Sequence, residues 1–86
     1  MYFVYILKSK SNNQIYISST NNLERRLQQH NNGQEISTKR YMPWILYYYE
    51  AYVSESLAKT REKRLKNNGN AIRELKKRVG LLPNRS

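Results

Sequence analysis

The chain has no cysteine, a single histidine and only six acidic residues among 86. The absence of cysteine excludes a disulfide framework and a metal site built on thiolates. One histidine excludes a metal site that needs several imidazole ligands. No apolar stretch reaches the ~18–20 residues needed to cross a bilayer, and no charged-then-apolar leader opens the chain, so we expect a cytoplasmic protein without a membrane partner.

Positive charge is what the chain has in excess. Sixteen Lys and Arg residues give a formal net charge of +10, and eight tyrosines, one tryptophan and one phenylalanine accompany them. This charge predicts a polyanion partner, either nucleic acid or an anionic membrane, with a generally basic solvated surface as the plain alternative. The aromatic side chains favour nucleic acid. A chain this short forms one domain without a large enclosed pocket, so we expect chemistry in an open groove that suits a polymer.

Strand-forming and helix-forming segments follow one another in a simple order. The predicted strands are residues 2–8, 14–18 and 44–52, and the predicted helices end near residues 30, 66 and 79. Asn21 is the predicted N-cap of the first helix, with Glu24 completing a capping box, and Gly33 takes the left-handed position after it. A polar, basic loop is predicted over residues 34–43. The prediction is an α+β domain over residues 1–80, a small three-stranded antiparallel sheet flanked by helices, followed by a tail, 81–86.

The first helix places two polar side chains beside its apolar stripe. At about 100° per residue, His30 lies about 20° and Arg26 about 60° from Leu23, whereas Arg25 points nearly opposite, into solvent. An arginine held at the core edge can grip a phosphate with its forked donors. The alternatives are a surface arginine that lies over the core and a hydrogen-bonded histidine at its border.

Tyrosine recurs on the predicted hairpin. Side chains alternate faces along a strand, so pairing of the first two strands can bring Tyr5 and Tyr16 onto one face as neighbours. Two strand tyrosines are common in a chain that has eight, and alone they favour a core or half-exposed role. Their combination with Arg26 and His30 at these spacings is a more specific signal.

One glutamate is the only carboxylate in the strongly basic stretch 58–66. Glu62 lies at the border of the apolar stripe that Leu57, Ala58 and Leu65 define. A single carboxylate can hold Mg²⁺ when phosphate oxygens and waters complete the coordination. Pairing with a neighbouring cation is equally compatible with the spacing. The rival carboxylates are Glu24 and Glu50.

Cations concentrate in the second and third predicted helices. Residues 59–78 hold nine of the sixteen basic residues, and some of these only solvate amphipathic helices. The side chains predicted to contact nucleic acid are Lys39, Arg40, Arg61, Lys63, Arg64 and Lys66.

Several segments together resemble the GIY-YIG nuclease superfamily, in particular its small stand-alone members. The first family motif falls on Phe3-Val4-Tyr5 and the second on Tyr16-Ile17-Ser18, with Phe3 and Ser18 in place of glycine. Arg26 and His30 match the family's helix pattern, and Glu62 matches its metal-binding glutamate. The likeness covers about residues 2–78.

The resemblance implies a metal-dependent endonuclease that hydrolyses phosphodiester bonds, with DNA the favoured substrate and no small-molecule cofactor. The implied catalytic residues are Tyr5, Tyr16, Arg26, His30 and Glu62, and Glu62 is the implied ligand of Mg²⁺ or Mn²⁺. Tyr5 would accept a proton from the attacking water, which requires cationic neighbours because an ordinary tyrosine has a pKa of about 10. The first alternative, raised by Ser18, is a weakened or inactive nucleic-acid-binding module of the same fold, and a weaker one is a basic protein–protein adaptor. The oligomeric state stays open.

Overall fold

The computed structural model describes residues 1–81, so most of the predicted tail 81–86 lies outside the described residues. Within residues 1–81 the elements are β1 (Tyr2–Ser9), β2 (Ile15–Thr20), α1 (Leu23–Asn31), α2 (Ile36–Lys39), β3 (Trp44–Tyr52), α3 (Glu55–Asn67) and α4 (Gly69–Arg78). The strands form an antiparallel sheet in the order β2-β1-β3. The predicted α+β class, with a three-stranded antiparallel sheet flanked by helices, is confirmed.

The central strand β1 is buried on both faces, which explains its nearly unbroken apolar sequence. On one face, Val4 and Ile6 form a core with side chains of α3 and α4. On the other face, Tyr5 and Leu7 pack with Trp44 and with side chains of α1. The alternation of side chains along β1 therefore directs Tyr5 toward α1 and away from α3.

The hairpin of β1 and β2 sets the register of the two motif tyrosines. Tyr5 is paired with Ser18, and Leu7 is paired with Tyr16. Paired residues share a face of the sheet, so Tyr5 and Tyr16 are diagonal neighbours on the α1 side. β2 is an edge strand, and all of its residues remain partly exposed.

The start of α1 differs from the prediction. The N-cap is Asn22, whose side chain accepts a hydrogen bond from the Arg25 backbone N–H at 3.0 Å. The shift by one residue puts Arg25 at the third helical position, so Glu24 does not complete a capping box. At the other end, Gly33 has a φ of 73°, the left-handed conformation predicted for it.

The segment predicted as a loop contains a short helix. Residues Ile36–Lys39 form α2, in which the backbone N–H groups of Thr38 and Lys39 donate to the carbonyl of Glu35. The sequence pattern does not predict this helix, because one buried threonine holds the helix in place and the segment has no apolar stripe. Thr38 is fully buried, whereas Ile36 is 88% exposed.

The second helical region is interrupted by one residue only. Asn68 ends α3 and caps α4, because its side chain accepts hydrogen bonds from the backbone N–H groups of Asn70 and Ala71. Ala58 and Leu65 form the buried face of α3, but Leu57, predicted to join them, is 49% exposed. None of the helices in residues 1–81 is long and apolar enough to cross a membrane.

Candidate active site

A buried chain of polar contacts joins β1, α1 and α2. The Tyr5 hydroxyl lies 3.0 Å from His30 Nε2, and His30 Nδ1 lies 2.8 Å from Thr38 Oγ1. His30 and Thr38 are 0% exposed and Tyr5 is 1% exposed. His30, predicted at the border of the helix, is therefore at the centre of the cluster, where both ring nitrogens have a partner.

Burial governs the protonation of this cluster. Burial lowers the pKa of His30, and the charge of Arg26 lowers it further, against an opposing effect of Glu35. The imidazole is therefore neutral at neutral pH. Burial also raises the pKa of Tyr5, although Arg26 and Ser18 act to lower it. Arg26 lowers the pKa of Tyr5, as expected of a cationic neighbour, but this effect is smaller than the increase that burial causes.

Arg26 lies at the solvent side of the cluster. Its guanidinium is 25% exposed, donates to Gln29 Oε1 at 3.1 Å and lies 3.5 Å from a carboxylate oxygen of Glu35. It is also close enough to the Tyr5 hydroxyl to act on its pKa. A partly exposed arginine beside a buried phenol can present its remaining donors to an anion from solvent.

Tyr16 and Trp44 close the cluster along the sheet. The Tyr16 ring lies 5.1 Å from the His30 ring at an edge-to-face angle of 65°, and 6.4 Å from the Trp44 ring. The structure thus brings together four of the five residues predicted for catalysis, Tyr5, Tyr16, Arg26 and His30, on the α1 face of the sheet.

Glu62, the fifth predicted residue, belongs to a different group of side chains. One carboxylate oxygen accepts a hydrogen bond from Ser19 Oγ at 2.6 Å and lies 3.7 Å from Lys59 Nζ. The other accepts from Lys66 Nζ at 2.7 Å. Ser19 is paired with Val4, so Glu62 reaches the edge strand β2 from the α3 side, whereas Tyr5 faces α1. The two groups therefore lie on opposite faces of the sheet and both border the edge strand β2.

The pKa of Glu62 reflects these cations. Partial burial acts to raise the pKa, but hydrogen bonds from Lys66 and Ser19 and the charge of Lys59 outweigh it and leave the pKa below its usual range. Glu62 is therefore a carboxylate at neutral pH. Within residues 1–81, no three His, Asp or Glu side chains come together to form a metal site.

The rival carboxylate Glu50 has a structural explanation. Its two oxygens accept hydrogen bonds from the Tyr48 and Tyr52 hydroxyls and from two nitrogens of Arg61, at 2.6–3.0 Å. Burial opposes ionisation, but these donors hold the pKa of Glu50 at about 2. Glu50 therefore ties β3 to α3, and its oxygens are occupied by protein donors.

The predicted nucleic-acid contacts fall into three groups. Lys39 and Arg40 lie at the end of α2, with the Arg40 guanidinium 5.8 Å from the centre of the Tyr41 ring. Lys63 and Lys66 flank Glu62 in an open groove of about 380 Å³. Arg64 and Arg61 line a second groove of about 400 Å³ together with Arg78 of α4. Arg61 differs from the others because Glu50 already engages two of its nitrogens.

The sequence did not identify Thr38 and Asn31 as site residues. The Asn31 side chain donates to the Trp44 carbonyl at 2.8 Å and accepts from the Trp44 backbone N–H at 2.6 Å. The Trp44 indole N–H donates to the Thr38 carbonyl at 2.8 Å. These contacts fasten α1, α2 and β3 around His30. In the sequence, Thr38 is one threonine in a polar segment and Asn31 is an asparagine at a helix end. Both residue types are common in such places, so neither indicates a functional site.

Known proteins share this architecture. A family model described as the GIY-YIG catalytic domain matches residues 1–77. The chain is 39% identical over 66 residues to the UPF0213 protein SH2523 of Staphylococcus haemolyticus, covering 76% of this chain and 79% of that protein. It is 41% identical over 63 residues to the UPF0213 protein CPE1444 of Clostridium perfringens, covering 72% and 67%.

A solved structure agrees with these relatives. The solution NMR structure of the UPF0213 protein BH0048 from Bacillus halodurans matches with a TM-score of 0.55 and 28% identity, over 94% of this chain and 85% of that one. Because the family model spans residues 1–77, which include both motif tyrosines, Arg26, His30 and Glu62, this protein belongs to the GIY-YIG family of nucleases.

Proposed function

We propose that this protein is a metal-dependent endonuclease that hydrolyses phosphodiester bonds in DNA. The observation that carries the proposal is the buried contact of the Tyr5 hydroxyl with the neutral His30 ring, beside the partly exposed guanidinium of Arg26. A phenol in contact with a neutral imidazole has a proton acceptor, and the adjacent guanidinium can bind an anion. Hydrolysis of a phosphodiester requires both functions.

The raised pKa of Tyr5 determines how it can accept a proton. A stable phenolate is disfavoured at neutral pH, because burial raises the pKa of Tyr5. In the proposed step, Tyr5 takes a proton from the attacking water while its own proton passes to His30 Nε2. The water oxygen forms the new bond to phosphorus, and the bond from phosphorus to the 3′ oxygen breaks. The 3′ oxygen then takes a proton from solvent, and His30 returns its proton to solvent.

Arg26 has two roles in this proposal. Its charge stabilises the developing negative charge on the phosphate oxygens. Its position near the Tyr5 hydroxyl, on the solvent side, also limits access to that hydroxyl, which belongs to a residue only 1% exposed. A phosphate that draws Arg26 away from Glu35 and Gln29 would open the path to Tyr5. Tyr16, on the same face, would orient the phosphate or the water.

Glu62 has the chemistry that a divalent metal site requires. GIY-YIG nucleases generally depend on a divalent metal ion. The Glu62 oxygens are held by Ser19 and by Lys59 and Lys66, and the two lysine side chains are 61% and 44% exposed, so a cation can replace them without disturbing the core. A single carboxylate suits Mg²⁺ or Mn²⁺, which would keep waters and take phosphate oxygens. When bound, the ion would neutralise charge on the phosphate.

Binding of nucleic acid without cleavage is the second candidate function. Two observations favour it: the pKa of Tyr5 is raised and not lowered, and Glu62 is paired with lysines. Ser18, which replaces the motif glycine, is a third reason to consider it. In this alternative, the fold holds nucleic acid through its basic helices and Arg26 without activating a water.

Incubation of the protein with labelled single- and double-stranded DNA and RNA tests the proposal. We expect cleavage of DNA with Mg²⁺ or Mn²⁺ and none with chelator. The Glu62→Gln variant should bind the same oligonucleotide with nearly unchanged affinity and should not cleave it. Glu55→Gln, a change of an exposed glutamate in the same helix, is the matched control and should cleave at the wild-type rate. Binding without cleavage by the wild-type protein would establish the second candidate instead.

A further inference from the structure

We propose that Thr38 is a positioning residue that holds the ring proton of His30 on Nδ1, which leaves Nε2 free to accept the Tyr5 hydroxyl proton. Thr38 Oγ1 lies 2.8 Å from His30 Nδ1, and both residues are 0% exposed. The catalytic consequence rests on the proposed nuclease function. The assignment of the ring proton concerns the resting protein and can be measured without a substrate.

The hydrogen bonds of Thr38 fix the direction of its contact with His30. A threonine hydroxyl has one proton to donate and lone pairs with which to accept. The Thr38 hydroxyl donates to the Glu35 carbonyl at 3.3 Å. Its remaining capacity is that of an acceptor, so the contact with His30 requires a proton on Nδ1. A neutral imidazole carries one ring proton, and Nε2 is therefore an acceptor.

The Tyr5 hydroxyl lies at the other nitrogen of the His30 ring. A phenol has one proton to donate, and the Tyr5 oxygen lies 3.0 Å from His30 Nε2. With the ring proton on Nδ1, Nε2 accepts a hydrogen bond from Tyr5, so both buried contacts of the ring have a donor and an acceptor.

Apolar packing does not explain why α2 lies where it does. Its isoleucine, Ile36, is 88% exposed, whereas its threonine is fully buried. The Thr38 carbonyl accepts from the Trp44 indole N–H at 2.8 Å, and the Thr38 backbone N–H donates to the Glu35 carbonyl at 3.2 Å. Trp44 and the backbone therefore fix the position of the Thr38 hydroxyl. The short helix α2 delivers this hydroxyl to His30.

Four ionisable groups surround His30 in addition to Thr38. They are Tyr5 on β1, Tyr16 on β2, Arg26 on the same helix and Glu35 before α2. None of them accepts a hydrogen bond at Nδ1 in the structure, a position that Thr38 alone fills among the described residues. Without the Thr38 hydroxyl, the ring can place its proton on Nε2. The N–H would then face the Tyr5 oxygen, and the Tyr5 proton would lose its acceptor.

The test compares Thr38→Val, which removes the hydroxyl at nearly constant volume, with Thr38→Ser, which keeps it. The matched control is Ser37→Ala, which removes the neighbouring exposed hydroxyl. The ring-nitrogen NMR shifts of histidine report its tautomer, and His30 is the single histidine of the chain, so the signal is unambiguous. Cleavage rates are measured on the same samples across pH.

We expect the Nδ1–H tautomer in the wild-type protein, in Thr38→Ser and in Ser37→Ala, and a shift toward Nε2–H in Thr38→Val. The cleavage rate of Thr38→Val should fall about tenfold or more, while Thr38→Ser stays within about threefold of wild type. An Nε2–H tautomer in the wild-type protein would overturn the proposal, even if Thr38→Val fails to fold. An unchanged tautomer in folded Thr38→Val would do the same. If the wild-type protein cleaves nothing but has the expected tautomer, the nuclease proposal fails and the assignment of Thr38 stands.

Discussion

At the scale of single residues, the fold surrounds Glu50 with donors and Tyr5 with one acceptor and one cation. Glu50 has four hydrogen bonds from protein donors and a pKa of about 2. The Tyr5 hydroxyl contacts His30 Nε2 and lies near the Arg26 guanidinium, and the pKa of Tyr5 is raised. Glu50 is therefore fixed in one protonation state, whereas the hydroxyl of Tyr5 has a nearby acceptor for its proton.

The ionisation of Glu50 should make stability depend on acid pH. The pKa of Glu50 is about 2 in the folded protein, against 4.5 for an ordinary glutamate, the value we take for the unfolded chain. Ionised Glu50 therefore contributes its full stabilisation of the fold above about pH 4.5, and this stabilisation is lost as the pH falls toward 2. The difference corresponds to about 3 kcal/mol. Urea unfolding of wild type and Glu50→Gln at several pH values measures it. The stability gap between the two proteins should narrow from pH 5 to pH 2, and a constant gap would refute this assignment.

Ser18 replaces a motif glycine directly opposite Tyr5. Its hydroxyl acts to lower the pKa of Tyr5, but less than Arg26 does. We expect Ser18→Gly to cleave at least as fast as wild type, within about threefold, and to lose roughly 0.5–1 kcal/mol of stability because glycine is more flexible in the unfolded chain. Cleavage rate and melting temperature are the measurements. The Ser18→Ala variant separates the effect of the hydroxyl from that of the backbone. A large loss of cleavage in both variants would show that the Ser18 hydroxyl itself takes part in cleavage.

At the scale of elements, the start of α3 is evident from the sequence, whereas the start of α1 and the whole of α2 are not. Ser54, a residue type that favours helix starts, is the N-cap of α3 and accepts a hydrogen bond from the Leu57 backbone N–H at 3.3 Å. The start of α1 offered two adjacent asparagines, and local pattern alone did not distinguish Asn22 from Asn21. The short helix α2 was missed because its one buried residue is polar. Local sequence predicts caps and apolar stripes, but not a helix held by contacts with residues distant in sequence.

The junction of α3 and α4 depends on one side chain. Asn68 Oδ1 accepts from the backbone N–H groups of Asn70 and Ala71 at 3.0 and 3.1 Å. We expect Asn68→Ala to lower the free energy of unfolding by about 1 kcal/mol. The control is Asn67→Ala at the last residue of α3, which should change it by less than about 0.5 kcal/mol. Equal effects of the two substitutions in urea unfolding would show that the cap does not stabilise the junction.

At the scale of the whole molecule, sequence and structure agree on the three-stranded sheet, and the structure places four of the predicted site residues on one face of it. The alternation of side chains placed Tyr5 and Tyr16 on one face, and helix periodicity placed Arg26 and His30 beside it, because both patterns are local. The position of Glu62 across the edge strand β2 depends on how α3 packs against the sheet, which local patterns do not specify. The raised pKa of Tyr5 was not predicted, because burial is a property of the complete fold.

The net charge of +10 should make binding of nucleic acid strongly dependent on salt, because phosphate contacts release counterions. Lys63 is one of the predicted contacts and lines the groove beside Glu62. We expect Lys63→Gln to reduce the slope of log affinity against log salt by about 0.9. Lys10→Gln, at an exposed lysine of the β1–β2 turn, is the matched control and should leave the slope unchanged. A wild-type affinity that does not vary with salt would remove the nucleic-acid assignment.

The single-turnover cleavage rate of Tyr5→Phe tests the central claim most directly. The substitution removes one hydroxyl and leaves His30 Nε2 without its partner, at a cost of about 1–3 kcal/mol. The matched control is Tyr47→Phe, which removes a hydroxyl that donates to the Val79 carbonyl at 2.7 Å on the other side of the fold. At a temperature where all three proteins are folded, we predict that Tyr5→Phe cleaves about 100-fold or more slowly than wild type and that Tyr47→Phe cleaves normally. Cleavage by Tyr5→Phe at the wild-type rate would contradict the assignment of Tyr5 as the proton acceptor.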